Sequence, residues 1–115
     1  MLSSLYRFHG RRSLAFLFRQ GKTVRRKMIS LKFVHNTRRQ EPRIAVVVGK
    51  KVSKSAPVRN RIRRRLYEIV RLHVDQIAPG TDMAFFVYDK EVATLPPAEL
   101  QAIVIGLLRE GFLIE

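Results

Sequence analysis

The sequence predicts an α+β domain in which three helices pack on a small, mostly antiparallel sheet, in the order α-β-β-α-β-α. Short segments with the apolar spacing of a helix alternate along the chain with segments that have the spacing of a strand. The 115 residues, 46% of them hydrophobic, suffice for one modest core and not for two. No internal repeat or low-complexity linker divides the chain. We therefore expect residues 1–115 to form a single domain.

The first predicted element is a short helix over residues 11–20. Helical spacing places Leu14, Leu17 and Phe18 on one face of it. Gly21 follows at the position where a glycine commonly ends a helix. This helix contributes one apolar face to the fold.

Two strands are predicted next, separated by a polar turn. Residues 27–35 alternate between two faces, which predicts a half-buried strand. Its apolar face carries Ile29, Leu31 and Phe33. Residues 43–48 are apolar on both faces, which predicts a strand in the centre of the sheet. Because the link between the two strands is short, we expect them to pair antiparallel.

The longest predicted helix follows a basic loop. Ser55 has the side chain of an N-cap, and Pro57 is tolerated in the first turn. The helix should end near Ile77, because Pro79-Gly80 follows. At about 100° per residue, one stripe of this helix faces the core. The predicted stripe consists of Val58, Ile62, Leu66, Ile69 and His73.

A third strand and a final helix complete the predicted fold. Residues 81–88 are apolar and read as a strand. Pro96 and Pro97 open the last helix, which should end near Gly111. Its packing face carries Leu100, Ile103, Val104, Leu107 and Leu108.

The most informative feature is a run of five arginines within residues 59–65. The net charge is +14, and eleven Lys or Arg residues precede the first acid, Glu41. Like-charge repulsion within the run would destabilise the helix unless an anion compensates it, and guanidinium groups match phosphate oxygens. We predict an RNA-binding surface, in which Asn60 can read a base edge or a 2′-hydroxyl. The predicted surface is Arg59, Asn60, Arg61, Arg63, Arg64 and Arg65, extended by Lys50, Lys51 and Lys54.

Other classes of function have weaker support. The longest apolar runs, residues 44–48 and 83–88, are too short to span a bilayer, so no membrane partner is expected. The chain has no cysteine, which excludes disulfides, thiolate zinc sites and cysteine nucleophiles and favours the interior of a cell. Asp89 and Glu91 could in principle bind a metal after the third strand, but a solvated turn is the more common arrangement. We predict no catalytic and no metal-binding residue in the protein.

The arginine run and the loop before it resemble a known motif. Residues 49–54 and 59–68 are similar to the basic "RNR" signature of the bacterial ribonuclease P protein subunit. The segment from Leu14 through Val24 resembles the first helix and first strand of that family, and residues 82–108 resemble its C-terminal half. The resemblance therefore covers essentially the whole chain.

This resemblance implies a protein cofactor for a ribozyme. In that family a large RNA with Mg²⁺ removes the 5′ leader of precursor tRNA, while the small basic protein binds both that RNA and the leader. Catalysis then belongs to the RNA, one protein per RNA is expected, and the complex works in the bacterial cytoplasm. The resemblance also implies a left-handed crossover between two parallel strands, against the usual rule.

The resemblance further implies a leader-binding cleft between the first helix and the sheet, where aromatic side chains stack on bases. Its candidate residues in this chain are Phe18, Leu14 and Lys32. Leu14 and Lys32 stand where other members often have aromatics, so stacking would depend on Phe18. Tyr67 replaces a position that is frequently basic. The alternative function is that of a ribosome-associated or general structural RNA-binding protein.

Overall fold

The computed structural model describes residues 11–35, 41–111 and 113–114, and the side chains from residue 15 onward within these ranges. Three helices and four strands follow one another along the chain. They are α1 (Arg11–Gln20), β1 (Lys22–Arg25), β2 (Ile29–His35), β3 (Arg43–Val48), α2 (Ala56–His73), β4 (Thr81–Val87) and α3 (Pro97–Glu110). Single 3₁₀ turns, Val74–Gln76 and Lys90–Ala93, follow α2 and β4. The predicted α+β class and order of elements are confirmed, with β1 as an additional short strand.

The four strands form one mixed sheet in the order β1-β2-β4-β3. β1 pairs antiparallel with β2, and β2 pairs antiparallel with β4. β3 pairs with β4 in parallel. The predicted antiparallel pairing of residues 27–35 with residues 43–48 is therefore wrong, because β4 lies between those two strands.

β3 lies at an edge of the sheet, and the prediction of a central position for it is also wrong. Its residues Ile44, Val46 and Val48 face the core, and α2 also covers its outer edge. The hydroxyl of Tyr67 accepts a hydrogen bond from the backbone N–H of Val46 (3.2 Å), and Arg63 donates to the carbonyl of Val48 (3.4 Å). Side chains of α2 thus bond to backbone groups of β3, which has a neighbouring strand, β4, on one side only.

α2 connects the parallel strands β3 and β4, as a crossover connection must. This βαβ unit agrees with the connection that the family resemblance implies, and its left-handedness stays a prediction. None of the described helices is both long and apolar enough to cross a membrane.

The core lies between one face of the sheet and the helices α2 and α3. Alternate residues of the strands meet there with the inner faces of both helices. Fully buried members include Ile29, Leu31, Ile44, Ile62, Leu66, Phe85, Val104 and Leu108. α1 packs on the opposite face, where Leu17 is buried outside the main cluster of core residues. The sheet therefore separates α1 from α2 and α3.

A buried ion pair joins the beginnings of β3 and β4. Gly80 turns the chain into β4 with φ 75°, a conformation that favours glycine. Two residues later, Asp82 accepts two hydrogen bonds from Arg43, at 2.9 Å from Nε and 2.7 Å from the terminal nitrogen. Asp82 is 0% and Arg43 is 8% exposed. The sequence analysis did not predict this pair.

Candidate nucleic-acid interface

Helix α2 begins at a capped end that holds the arginine run rigidly. The Ser55 side chain accepts a hydrogen bond from the backbone N–H of Val58 (3.4 Å), and Pro57 lies in the first turn. The predicted N-cap is thus confirmed. The helix ends at His73 rather than near Ile77, because a 3₁₀ turn takes over.

The buried stripe of α2 is rotated relative to the predicted one. Ile62 and Leu66 are buried as predicted, and Tyr67 and Val70 join them. Three residues of the predicted stripe are only half-buried, namely Val58, Ile69 and His73. The hydroxyl of Tyr67 reaches the edge of β3, which places this side of the helix against the sheet. The amphipathic pattern of the helix alone could not predict that hydrogen bond.

The basic loop before α2 is bonded to the helix that it precedes. The N–H of Val52 donates to the carbonyl of Gly49 (3.0 Å) and closes a turn. The guanidinium of Arg59 donates to the carbonyl of Ser53 (2.8 Å). The exposed cations of the loop are Lys50, Lys51 and Lys54. Their part in one basic surface with α2 stays a prediction.

Arg61 and Arg65 use part of their guanidinium groups to hold the segment that follows β4. The Nε of Arg61 donates to the carbonyl of Ala93 (2.8 Å). Arg65 donates to the carbonyls of Val92 (2.7 Å) and Leu95. These bonds fix the segment against α2. The two arginines therefore also have a structural role, which was not predicted from the sequence.

Arg63 and Arg64 differ in how they are held. Arg63 donates to the side-chain oxygen of Asn60 (3.0 Å), which orients the amide on the surface of the helix. Arg64 is exposed. In the part of the chain that the structure describes, no carboxylate pairs with any arginine of residues 59–65. Among the described residues, therefore, no ion pair neutralises the positive charge of the run.

Three arginines and one glutamate line a surface hollow of ≈ 420 Å³: Arg61, Arg64, Arg65 and Glu68. Desolvation of Arg65, followed by the nearby charge of Arg61, lowers the pKa of Arg65 from its ordinary value. A hydrogen bond from Arg71 (3.0 Å from Nε) lowers the pKa of Glu68, which is ionised at neutral pH. Three positive charges then face one negative charge, so the hollow suits a phosphate group.

A second candidate surface lies where α1 crosses the other face of the sheet. Phe18 is 50% exposed and packs against Phe86 of β4, with ring centroids 5.7 Å apart. The Nζ of Lys32 lies 5.7 Å from the centroid of the Phe18 ring. An accessible ring beside a cation is an arrangement that can stack a base and contact its phosphate.

The close approach of α1 to the sheet depends on Gly21. Its N–H donates to the carbonyl of Leu17 (2.8 Å). A Cβ at Gly21 would lie 2.5 Å from that same oxygen and 3.0 Å from Cγ of Lys32. A larger residue here would force the end of α1 away from β2. Glycine at this position therefore keeps Lys32 beside Phe18.

The first residue of the acidic pair after β4, Asp89, caps a turn. The Asp89 side chain accepts a hydrogen bond from the N–H of Glu91 (2.9 Å) and caps the 3₁₀ turn. Across residues 11–35, 41–111 and 113–114, no group of three or more His, Asp or Glu side chains is placed to hold a metal ion. Asp89 thus has a local structural part.

The comparisons with known proteins agree on one family. The family model "Ribonuclease P" matches residues 2–110. The ribonuclease P protein component of Roseiflexus castenholzii is 40% identical over 97 residues, which cover 84% of this chain and 78% of that protein. The component of a Cyanothece strain is 31% identical over 102 residues, covering 76% of this chain and 78% of that protein. The chain belongs to the ribonuclease P protein family.

Solved structures of ribonuclease P proteins have the same fold. The Staphylococcus aureus protein superposes with a TM-score of 0.84 at 18% identity, covering 96% of this chain and 98% of that one. The Thermotoga maritima protein superposes with a TM-score of 0.79 at 23% identity, covering 90% and 96%. Membership of this family makes the chain a protein component of an endoribonuclease of tRNA processing, a ribonucleoprotein whose catalysis is by RNA.

The predicted basic residues lie on the loop and on the helix that follows it, and Lys50, Lys51, Lys54, Arg61 and Arg64 are exposed. Phe18 and Lys32 are adjacent on the other face of the sheet. The side chain of Leu14 lies outside the described residues. Tyr67 is buried, and its hydroxyl bonds to the backbone of β3.

Further side chains on the open face of the sheet were not predicted from the sequence. Phe86, Val47 and Tyr88 lie there, and the last two are 40% and 49% exposed. They belong to sequence segments in which residues of both strand faces are apolar, so the sequence does not show which of them face the core. Along β4, the two faces of the sheet are distinguished by alternation, since Phe85 is fully buried and Phe86 is not. To predict this from the sequence, one would have to know which face of the sheet α1 leaves open.

Proposed function

We propose that this protein binds the RNA of ribonuclease P through α2 and the preceding basic loop, and binds the 5′ leader of precursor tRNA in the cleft beside α1. In this way it assists the Mg²⁺-dependent, endonucleolytic removal of the leader. The proposal depends chiefly on the arginines of residues 59–65, which no carboxylate of the described residues neutralises. An RNA partner supplies that negative charge.

The rigidity of the basic surface supports specific binding to a folded RNA. Helix α2 is capped by Ser55 and anchored to the sheet by Tyr67. Arg59 also bonds the loop to the helix. Because these groups are held before binding, little conformational entropy is lost when phosphates are engaged. A loosely ordered basic tail would lack this advantage.

The open cleft supports recognition of a single strand. Phe18 offers an exposed ring face, and Lys32 places a positive charge beside it. Single-stranded bases stack on such rings without regard to sequence. A 5′ leader varies in sequence among precursor tRNAs, so this mode of binding suits it.

Magnesium would be held by the RNA of the holoenzyme. The described residues contain no cluster of acidic or histidine side chains able to hold it. What the protein contributes is charge compensation and positioning of the substrate. We place the complex, with one protein per RNA, in the bacterial cytoplasm, where precursor tRNA is processed.

The proposed function is tested by reconstitution with the large RNA of the same organism. At low Mg²⁺, the protein should strongly increase the cleavage of a precursor tRNA, and the cut should map to the mature 5′ end. The protein alone should leave the precursor intact. Cleavage by a clean, RNA-free preparation would instead favour a metal-dependent nuclease with Asp89 and Glu91. No effect of the protein on the RNA enzyme would contradict the proposal.

Phe18→Ala should separate leader recognition from general RNA binding. Loss of one stacking ring is expected to weaken the binding of precursor tRNA to the holoenzyme by about 1–3 kcal/mol, while mature tRNA, which has no leader, binds as before. The matched control is Leu72→Ala, which removes an apolar side chain that is 60% exposed on α2. Dissociation constants of both tRNAs provide the measurement. Equal effects on both would favour a structural RNA-binding protein without a leader cleft.

A further inference from the structure

Tyr88 is an exposed aromatic residue to which the proposed function assigns no role. It follows β4 directly, and its backbone N–H donates to the carbonyl of Met28 (2.9 Å). The side chain is 49% exposed. An exposed tyrosine whose backbone is fixed in this way presents its ring in one place.

Two side chains of neighbouring strands fix the ring of Tyr88. Its hydroxyl lies 2.7 Å from Oγ of Ser30, within hydrogen-bond distance. The guanidinium carbon of Arg25 lies 4.9 Å from the ring centroid, a cation–π distance. Tyrosine and arginine therefore form a cation–π pair, and both groups are planar.

This pair lies on the same face of the sheet as Phe18. Ser30 is directly opposite Arg25 on β1 and opposite Phe86 on β4, so the three side chains point to one side. Phe86 in turn contacts Phe18. The open face thus has two aromatic groups in a row, one at Phe18 and Phe86 and one at Tyr88 and Arg25.

The distance between the two groups fits consecutive nucleotides of an extended strand. Phe86 and Tyr88 are two residues apart along one strand, which places them roughly 7 Å from each other. Stacked bases are about 3.4 Å apart along one strand of a duplex. Phe18 lies beyond Phe86, with their ring centroids 5.7 Å apart, so bases on Phe18 and Tyr88 would be separated by a few stacking steps, which a chain of unstacked nucleotides can span.

We propose that Tyr88 and Arg25 form a second stacking platform for single-stranded RNA, which holds the leader nucleotide next to the one on Phe18. This inference rests on the proposed function, since it assigns a second nucleotide to the same cleft. Tyr88 supplies a π-face, and Arg25 supplies both a planar stacking surface and a positive charge for the adjoining phosphate. Ser30 is a positioning residue, because it acts through the tyrosine hydroxyl.

The inference is tested with holoenzyme and a set of non-cleavable precursor tRNAs whose leaders lengthen by one nucleotide at a time. Tyr88→Ala should weaken the binding of long-leader precursors roughly five- to tenfold, which is the low end of the range of affinity lost when one stacked base loses its ring. Mature tRNA and the shortest leaders should bind as with the wild-type protein. Tyr88→Phe keeps the ring and should remain within about twofold of the wild type.

Arg25→Ala keeps the test decisive if Tyr88→Ala fails to fold, because Arg25 is exposed and lies at the end of a short edge strand. It should weaken the same long-leader precursors. As the leader lengthens, the loss of affinity caused by Tyr88→Ala and the loss caused by Phe18→Ala should first appear at leader lengths that differ by one or two nucleotides.

Three outcomes would overturn the inference, and they separate it from the proposed function. If Phe18→Ala is selective for precursors while Tyr88→Ala and Arg25→Ala change nothing, the second platform is wrong and the cleft stands. If the Tyr88 and Arg25 variants weaken mature and precursor tRNA equally, these residues contact another part of the RNA. If the wild-type holoenzyme does not distinguish leader lengths at all, the leader cleft itself is contradicted.

Discussion

Replacing Asp82 with alanine is expected to lower the free energy of unfolding by about 3–5 kcal/mol, the range typical of a broken buried ion pair. Asp82 is fully buried and bonded through both oxygens to Arg43. Without the carboxylate, the buried guanidinium of Arg43 would lose two charge-assisted hydrogen bonds. The expected loss therefore includes the cost of leaving part of a buried charged group unsatisfied. Urea-induced unfolding, followed by circular dichroism, gives the measurement.

An exposed ion pair provides the matched control for Asp82. Glu110 accepts a hydrogen bond from Arg26 at 2.8 Å, with side chains 46% and 39% exposed. Water screens such a pair, so Glu110→Ala should cost at most about 1 kcal/mol. Similar losses for the two variants would mean that the buried pair is not a principal contribution to stability.

Raising the salt concentration should have the largest effect on binding to ribonuclease P RNA. Each phosphate contacted by a lysine or arginine releases counterions, so the affinity falls steeply with salt. For six contacted phosphates, the dissociation constant should rise about a thousandfold between 50 and 200 mM salt. The exposed cations of the loop and of α2 are numerous enough for this, with Lys50, Lys51, Lys54, Arg61 and Arg64 among them.

The salt titration has its own control in protein stability. Unfolding measured over the same range of salt should show that the protein stays folded, so that the loss of affinity belongs to the interface. A dissociation constant that changes less than about tenfold would contradict an interface built on many phosphate contacts.

The helices of this fold follow from the sequence more directly than the sheet does. The N-cap at Ser55, the apolar residues Ile62 and Leu66, and the two prolines that open α3 are local signals, and the structure confirms them. Strand order is not local. Nothing in residues 27–48 shows that β4, more than thirty residues further on, will come between two strands that follow each other in the chain.

In the candidate site, too, the local features could be predicted from the sequence and the long-range contacts could not. The basic character of α2 is evident from the spacing of its arginines, whereas their partners are not. Arg61 and Arg65 bond to backbone carbonyls of residues 92–95, and carbonyls have no sequence signal. The cleft was found only in part for a related reason. Phe86 and Tyr88 reach it through the register of β4 with β2, which depends on the whole sheet.

Binding of Arg64→Ala to ribonuclease P RNA tests most directly whether the exposed guanidiniums of α2 form the RNA interface. Arg64 is preferable to Arg61, because Arg61 also bonds to Ala93 and its loss would change the protein itself. Arg109→Ala removes the same charge from α3 and serves as the control.

A filter-binding titration at moderate salt should show Arg64→Ala weakened by about 1–3 kcal/mol, with a salt slope smaller by about one and unchanged thermal unfolding. Arg109→Ala should bind much as the wild-type protein does. Unaltered affinity of Arg64→Ala would contradict the account, as would an equal loss for both variants.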